Sequence, residues 1–290
     1  MILSEGVYEI AEKFMTDPVY VSINFERLDA VAENMNNIKP PTFPFLTDDP
    51  DKEHVYKSVL LQLVGGAINY CYWYGRDDVR PGGASSTFMY ENLQNAFFDY
   101  DLSYGSNIFR YCIDAFIQNL TFKRFPLLEE RIKHLEELPP FAEDYVQSIL
   151  DSDRENLEPH MNNLLAEFPG YASDIFLKRA SLFFLQLYRQ FGWFAEEMKT
   201  LHIPADYQVP KIMNYEGIIK YDTELGYEID SRRQIPKGSQ KECEIRAATV
   251  QVAKMIGEDT GWNVAEIDAY FWLRRKEAMN PFHLTITTDY

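Results

Sequence analysis

SDIFLKRASLFFLQLYRQF, residues 173–191, is the stretch that decides the fold. Ile175, Leu177, Ala180, Leu182, Phe184, Leu185, Leu187 and Tyr188 recur at three- and four-residue spacing, which predicts a helix that is apolar on most of its faces and so sits at the centre of the molecule. Ser173 and Asp174, residue types that accept from free helix N–H groups, open it. Upstream, the same spacing predicts helices over 54–72, 88–98, 107–120, 127–138, 141–150 and 157–168. Downstream it predicts helices over 210–219, 240–256 and 264–275, the second capped by Ser239. Extended pieces are confined to 43–46, 217–221 and the tail 282–290, where Thr285-Ile286-Thr287-Thr288 favours a strand. The expected architecture is mostly α, with minor β at the C-terminus. Lys39-Pro40-Pro41 and Arg80-Pro81-Gly82-Gly83 interrupt the helices. Neither is long enough to cut the chain, so 1–290 reads as one domain, divided at most into two lobes near 80–84.

Composition narrows the function. Hydrophobic residues make up 46% and aromatics 15% of the 290, which excludes a disordered chain. The formal charge of −17 disfavours long nucleic acid, whose binding depends on cationic neutralisation, yet leaves room for one phosphate in a pocket. Cys71, Cys112 and Cys243 have no disulfide or metal-ligand spacing and fit a reducing compartment. With no signal-peptide pattern and no long apolar span, a cytoplasmic protein free of membranes is expected, and its acidic surface suits a monomer. His54, His134, His160, His202 and His283 form no ligand motif, so no metal and no cofactor are expected.

Carboxylates carry the more specific signals. Asp174 and Lys178 lie one helical turn apart: they are either a cap with an ion pair, or a carboxylate and an ammonium projecting into a pocket. Asp206, in Ala205-Asp206-Tyr207-Gln208-Val209-Pro210, falls in a turn ahead of a helix. There the dipole favours an anion, as a cap or as the group that stabilises a developing sugar cation. Asn69 and Trp73, in a Tyr- and Trp-rich segment, and Asp268 beside Tyr270 and Trp272 fit either the core or a pocket for a flat heterocycle. Glu244 and Arg246 read best as a buried ion pair.

In order along the chain, Ala67-Ile68-Asn69-Tyr70-Cys71-Tyr72-Trp73, Phe176-Leu177-Lys178-Arg179-Ala180, Ala205 to Pro210, Gly238-Ser239 with Glu242 and Glu244-Ile245-Arg246-Ala247, Ile267-Asp268 and Pro281-Phe282-His283 resemble the queuosine salvage protein family. The resemblance implies a helical fold similar to helix-hairpin-helix DNA glycosylases. It also implies hydrolysis of queuosine 5'-monophosphate, a small-molecule substrate, to queuine and ribose 5-phosphate. Carried over, Asp206 is the catalytic carboxylate and Asp174 its partner; Lys178 takes the phosphate and Tyr207 lies beside the ribose. Asn69, Asp174 and Asp268 serve the base's aminomethyl cyclopentenediol arm, and Trp73, Arg246 and His283 complete the site. Leu284 follows His283 where the family often has Arg, which leaves Arg246 and Arg179 as alternative cations. Two alternatives stand beside this: a non-catalytic protein that binds the modified nucleotide, and a nucleosidase for ordinary nucleotides.

Overall fold

A computed structural model describes residues 3–45, 51–74, 80, 83–98 and 106–290. Among them run α1 (Leu3–Met15), β1 (Val21–Ile23), α2 (Phe25–Asn36), α3 (Lys52–Ala67), α4 (Ser86–Phe98), α5 (Ser106–Lys123), α6 (Leu128–Glu136) and α7 (Ala142–Leu150). There follow α8 (Glu158–Glu167), α9 (Pro169–Ala172), α10 (Lys178–Phe191), α11 (Val209–Tyr215), β2 (Ile219–Tyr221), α12 (Thr223–Asp230), α13 (Gln240–Thr260) and α14 (Val264–Arg274). The protein is mostly helical. Leu46, Pro81 and Gly82, on which one extended piece and the lobe boundary were expected, lie outside the described residues.

Two helices share the centre. α10 packs on α3, α8 and α14, as its apolar faces require, while α13 packs on α1, α2, α11, α14 and β1. α13 hides its centrality from a hydrophobic pattern because Glu242, Glu244, Arg246, Thr249 and Gln251 are among its buried residues. Glu244 and Arg246 do not pair with each other, since residues two apart on a helix point to different sides. Glu244 instead accepts the backbone N–H groups of Val19, Tyr20 and Val21 at 3.0, 2.7 and 3.0 Å, which holds β1 against α13.

The β structure also differs from expectation. β1 and β2 pair antiparallel, Val21 with Tyr221 and Ile23 with Ile219, whereas the C-terminal tail contributes only an isolated bridge, Leu284 to Gln234. The tail is buried rather than paired: Phe282, His283, Leu284, Thr285, Thr287, Asp289 and Tyr290 are all inside. Residues 223–230, outside every helix that the spacing predicts, form α12, capped by Asp222 accepting from Leu225 N at 2.7 Å.

α10 starts five residues later than its pattern suggests. Leu177 adopts a left-handed φ of 46°, a conformation that is strained for a leucine and persists only when its surroundings hold it. The Asp174 carboxylate does so, accepting Phe176 N at 3.0 Å and Lys178 N at 2.8 Å.

Gly65 and Gly66 on α3 admit close neighbours. A Cβ at Gly66 would lie 2.5 Å from the hydroxyl of Tyr171, which is buried and donates to the Leu63 carbonyl. Gly66→Ala is therefore expected to destabilise the protein by about 1–3 kcal/mol, the usual result of overpacking a closed core, and a thermal melt checks it. At Gly65 the obstacle is the ring of Tyr90.

Candidate active site

A cavity of about 350 Å³ opens between the segment after α3, the start of α4, one face of α10, the turn before α11, the end of α14 and the C-terminal residue. That size falls in the range of small-ligand sites. Asn69, Lys178, Asp206, Tyr207 and Asp268 all line it, so tertiary folding gathers five of the expected residues from four separate segments.

Asp206 is half-buried in the turn just ahead of α11, whose first turn holds Pro210. Its Oδ1 accepts from Gln208 N at 2.7 Å and Val209 N at 3.0 Å, and Oδ2 takes no hydrogen bond among the described residues. One oxygen is thus anchored and the other remains available to a ligand. Lys178, only 4% exposed, donates from Nζ to the Asn69 carbonyl at 2.9 Å. Burial pushes its pKa down to about 8, although the charge of Asp206 pulls the other way. Asp268 accepts from Arg189 Nη2 at 2.8 Å, and burial raises its pKa despite that guanidinium. Tyr207 packs on Phe282 with ring centroids 4.7 Å apart.

Asp174, Arg246, Trp73 and His283 do not line the cavity. Asp174 and Arg246, each 1% exposed, form a bidentate pair at 2.8 and 2.6 Å beneath it. Burial opposes ionisation of Asp174, but the charge and hydrogen bonds of Arg246, with the two N–H groups, outweigh it and bring the pKa below the usual value. Arg246 Nε donates to the Ala205 carbonyl at 3.0 Å and Nη1 lies 3.4 Å from Glu242. The pair therefore ties the start of α10 to the turn that carries Asp206. Trp73 is buried with its ring tilted on Phe282 at 5.9 Å. His283 is buried against the Tyr290 hydroxyl at 3.0 Å, and burial, then the Arg246 charge, lowers its pKa to about 3. Arg179, the other alternative cation, is buried with its guanidinium on the Ala67 and Gly170 carbonyls.

Three cations in the cavity escape the sequence reading: Arg80, Arg189 and Arg275. Arg275 lies over the Trp272 ring, its guanidinium carbon 3.3 Å from the centroid, and donates to the Trp272 carbonyl at 2.6 Å. Burial lowers its pKa while the charge of Asp206 opposes the shift, so the two side chains sense each other. The available signal was the α14 stripe itself, because Asp268, Trp272 and Arg275 are spaced four and three residues apart.

Residues 51–288, which include every residue lining the cavity except Tyr290, match the family described as queuosine salvage protein. The chain belongs to the queuosine salvage protein family. It is 25% identical to a queuosine 5'-phosphate N-glycosylase/hydrolase of Dictyostelium discoideum, over 93% of this chain and 94% of the relative. It is 26% identical to the protein of that name from Sphaerobacter thermophilus, over 98% of each. A Mus musculus relative of the same name is 24% identical over 66% of this chain and 64% of its own length. Among the described residues of this family member, no helix is long and apolar enough to cross a membrane, and no three His, Cys, Asp or Glu side chains gather as a metal site would require.

Proposed function

We propose that the protein hydrolyses the N-glycosidic bond of queuosine 5'-monophosphate, releasing queuine and ribose 5-phosphate for salvage of the base, and that residues 1–290 act as one domain. The observation that carries the reading is Asp206: a carboxylate with one oxygen fixed by two backbone N–H groups and the other bare, in a cavity lined by cations, in a chain of this family. The 7-deaza base lacks N7, so protonation there cannot help it depart. Cleavage then relies on stabilising the ribosyl cation, which calls for an ionised carboxylate rather than a general acid. In this mechanism Asp206 Oδ2 faces C1', stabilises the oxocarbenium ion as the bond breaks and orients the attacking water. Lys178, joined by Arg275 and Arg80, supplies the charge that holds the 5'-phosphate. Tyr207 borders the ribose, and Asn69 and Asp268 offer polar contacts to the base. Asp174 acts through Lys178 and Arg246 as a positioning residue.

The direct test is incubation with queuosine 5'-phosphate in chelator, following free queuine by chromatography. Release with ribose 5-phosphate as co-product is expected; bound but uncleaved nucleotide would reduce the protein to a binder, and equal rates on guanosine 5'-phosphate would make it a general nucleosidase. Lys178 adds a pH signature. Its folded pKa of about 8 means that the ammonium is present below that pH and lost above it. The value of kcat/KM for the phosphorylated substrate is therefore expected to fall as pH rises through about 8. Lys178→Arg, which stays charged, should remove that alkaline limb, and a limb unchanged in the variant would assign it to another group.

A further inference from the structure

A second cavity, of about 380 Å³, adjoins the first and shares Tyr90 and Gln186 with it. Four side-chain amides line it, those of Gln62, Gln94, Gln186 and Gln190, and no Asp, Glu, Lys or Arg does among the described residues. The side-chain oxygens of Gln62 and Gln190 are buried and have no hydrogen-bond partner. Buried amide oxygens without partners are costly, and each is satisfied when a donor enters. Amides carry both donors and acceptors and bear no charge, so the chemistry that they fit is a neutral group rich in hydroxyls.

The direction of this annex follows from α10. Lys178, Leu182, Gln186 and Gln190 lie at successive four-residue steps, one stripe that begins beside Asp206 and ends in the annex. At 1.5 Å per residue the stripe is roughly 18 Å long. In the function proposed above the phosphate and ribose occupy its beginning, where the charge of Asp206 acts on both Lys178 and Arg275. A base attached at C1' then extends past Leu182 towards Gln186.

We propose that the amide annex formed by Gln62, Gln186 and Gln190 is the subsite for the hydroxyl-bearing ring at the end of the base's arm, and that it selects the modified nucleotide over one without the arm. The inference rests on the function proposed above and adds the specificity determinant to it. The ring's hydroxyls donate to the orphaned oxygens of Gln62 and Gln190 and accept from the amide nitrogens, while the arm's ammonium stays in the first cavity near its carboxylates. Sequence patterning does not distinguish these glutamines from solvated helix positions, since the three lie on two helices, α3 and α10.

The test compares kcat/KM for queuosine 5'-phosphate and for 7-deazaguanosine 5'-phosphate, in the wild type and in Gln190→Leu and Gln62→Leu. Neither amide oxygen has a hydrogen-bond partner to lose, so both variants are expected to fold, as a thermal melt will show. Each substitution should lower the preference for the arm-bearing nucleotide about tenfold, the worth of one good hydrogen bond. An unchanged preference, or equal losses on both substrates, overturns the inference. If the wild type cleaves neither nucleotide, the proposed function fails, and the annex is judged separately by calorimetry with the free bases. Queuine binding more tightly than 7-deazaguanine, with the difference lost in Gln190→Leu, would support it; no difference in the wild type, including no binding of either, would overturn it.

Discussion

Asp206→Asn is expected to lower kcat for queuosine 5'-phosphate about a thousandfold and to change KM by less than about threefold. Asparagine keeps an oxygen where Oδ1 accepts from Gln208 N and Val209 N, so the turn and the start of α11 survive. What disappears is the negative charge opposite the developing ribosyl cation, which exists only near the transition state. A loss confined to the transition state appears in kcat and not in KM, and a thousandfold corresponds to about 4 kcal/mol. Single-turnover rates with excess enzyme, together with a melt showing the variant folded, decide the matter. Activity within tenfold of the wild type would remove Asp206 from the reaction and leave it a helix cap.

Asp206 was legible because its neighbours in sequence place it: Pro210 suits the first turn of a helix, and that helix presents its N–H groups to the residue ahead of it. The ten helices anticipated from spacing have the same local origin, and their ends differ by a few residues where Leu177 or a cap intervenes. α1 carries Val7, Ile10, Ala11 and Phe14 at the spacing that identifies α10, a signal of the same kind in a segment outside the family resemblance. The chemistry of Asp174 was not legible in this way. Its partner Arg246 lies 72 residues away, and nothing between positions 174 and 246 announces that the two meet. Nor could local pattern distinguish Lys178, which lines the cavity, from the adjacent Arg179, which does not; the direction of α10 against α3 decides it. Local preference set the elements, and long-range packing chose which polar residues became site and which became scaffold.

The second large effect concerns that scaffold. Arg246→Met should destabilise the protein by about 3–5 kcal/mol, because it strands the Asp174 carboxylate, 1% exposed, without a counter-charge and leaves the Ala205 carbonyl without its donor. Asp174→Leu should cost a similar amount, since it leaves the buried guanidinium only the 3.4 Å contact to Glu242 and also frees Phe176 N and Lys178 N at the strained start of α10. The double variant removes both charges, and a well-packed apolar replacement of a buried pair is often nearly neutral, so it should recover several kcal/mol relative to the sum of the single losses. Strict additivity would show that the two side chains contribute independently, and the link between α10 and the Asp206 turn would have to be abandoned. Acid supplies an independent check. The folded pKa of Asp174 is lowered, so its contribution is fully present above the unfolded carboxylate value and is lost as pH falls through the folded one. The wild type should therefore lose stability below about pH 4 more steeply than the double variant, in which no carboxylate remains at position 174 to take up the proton. Denaturant melts of both proteins between pH 3 and pH 6 measure the two slopes, and equal slopes would mean that the pair does not govern acid stability.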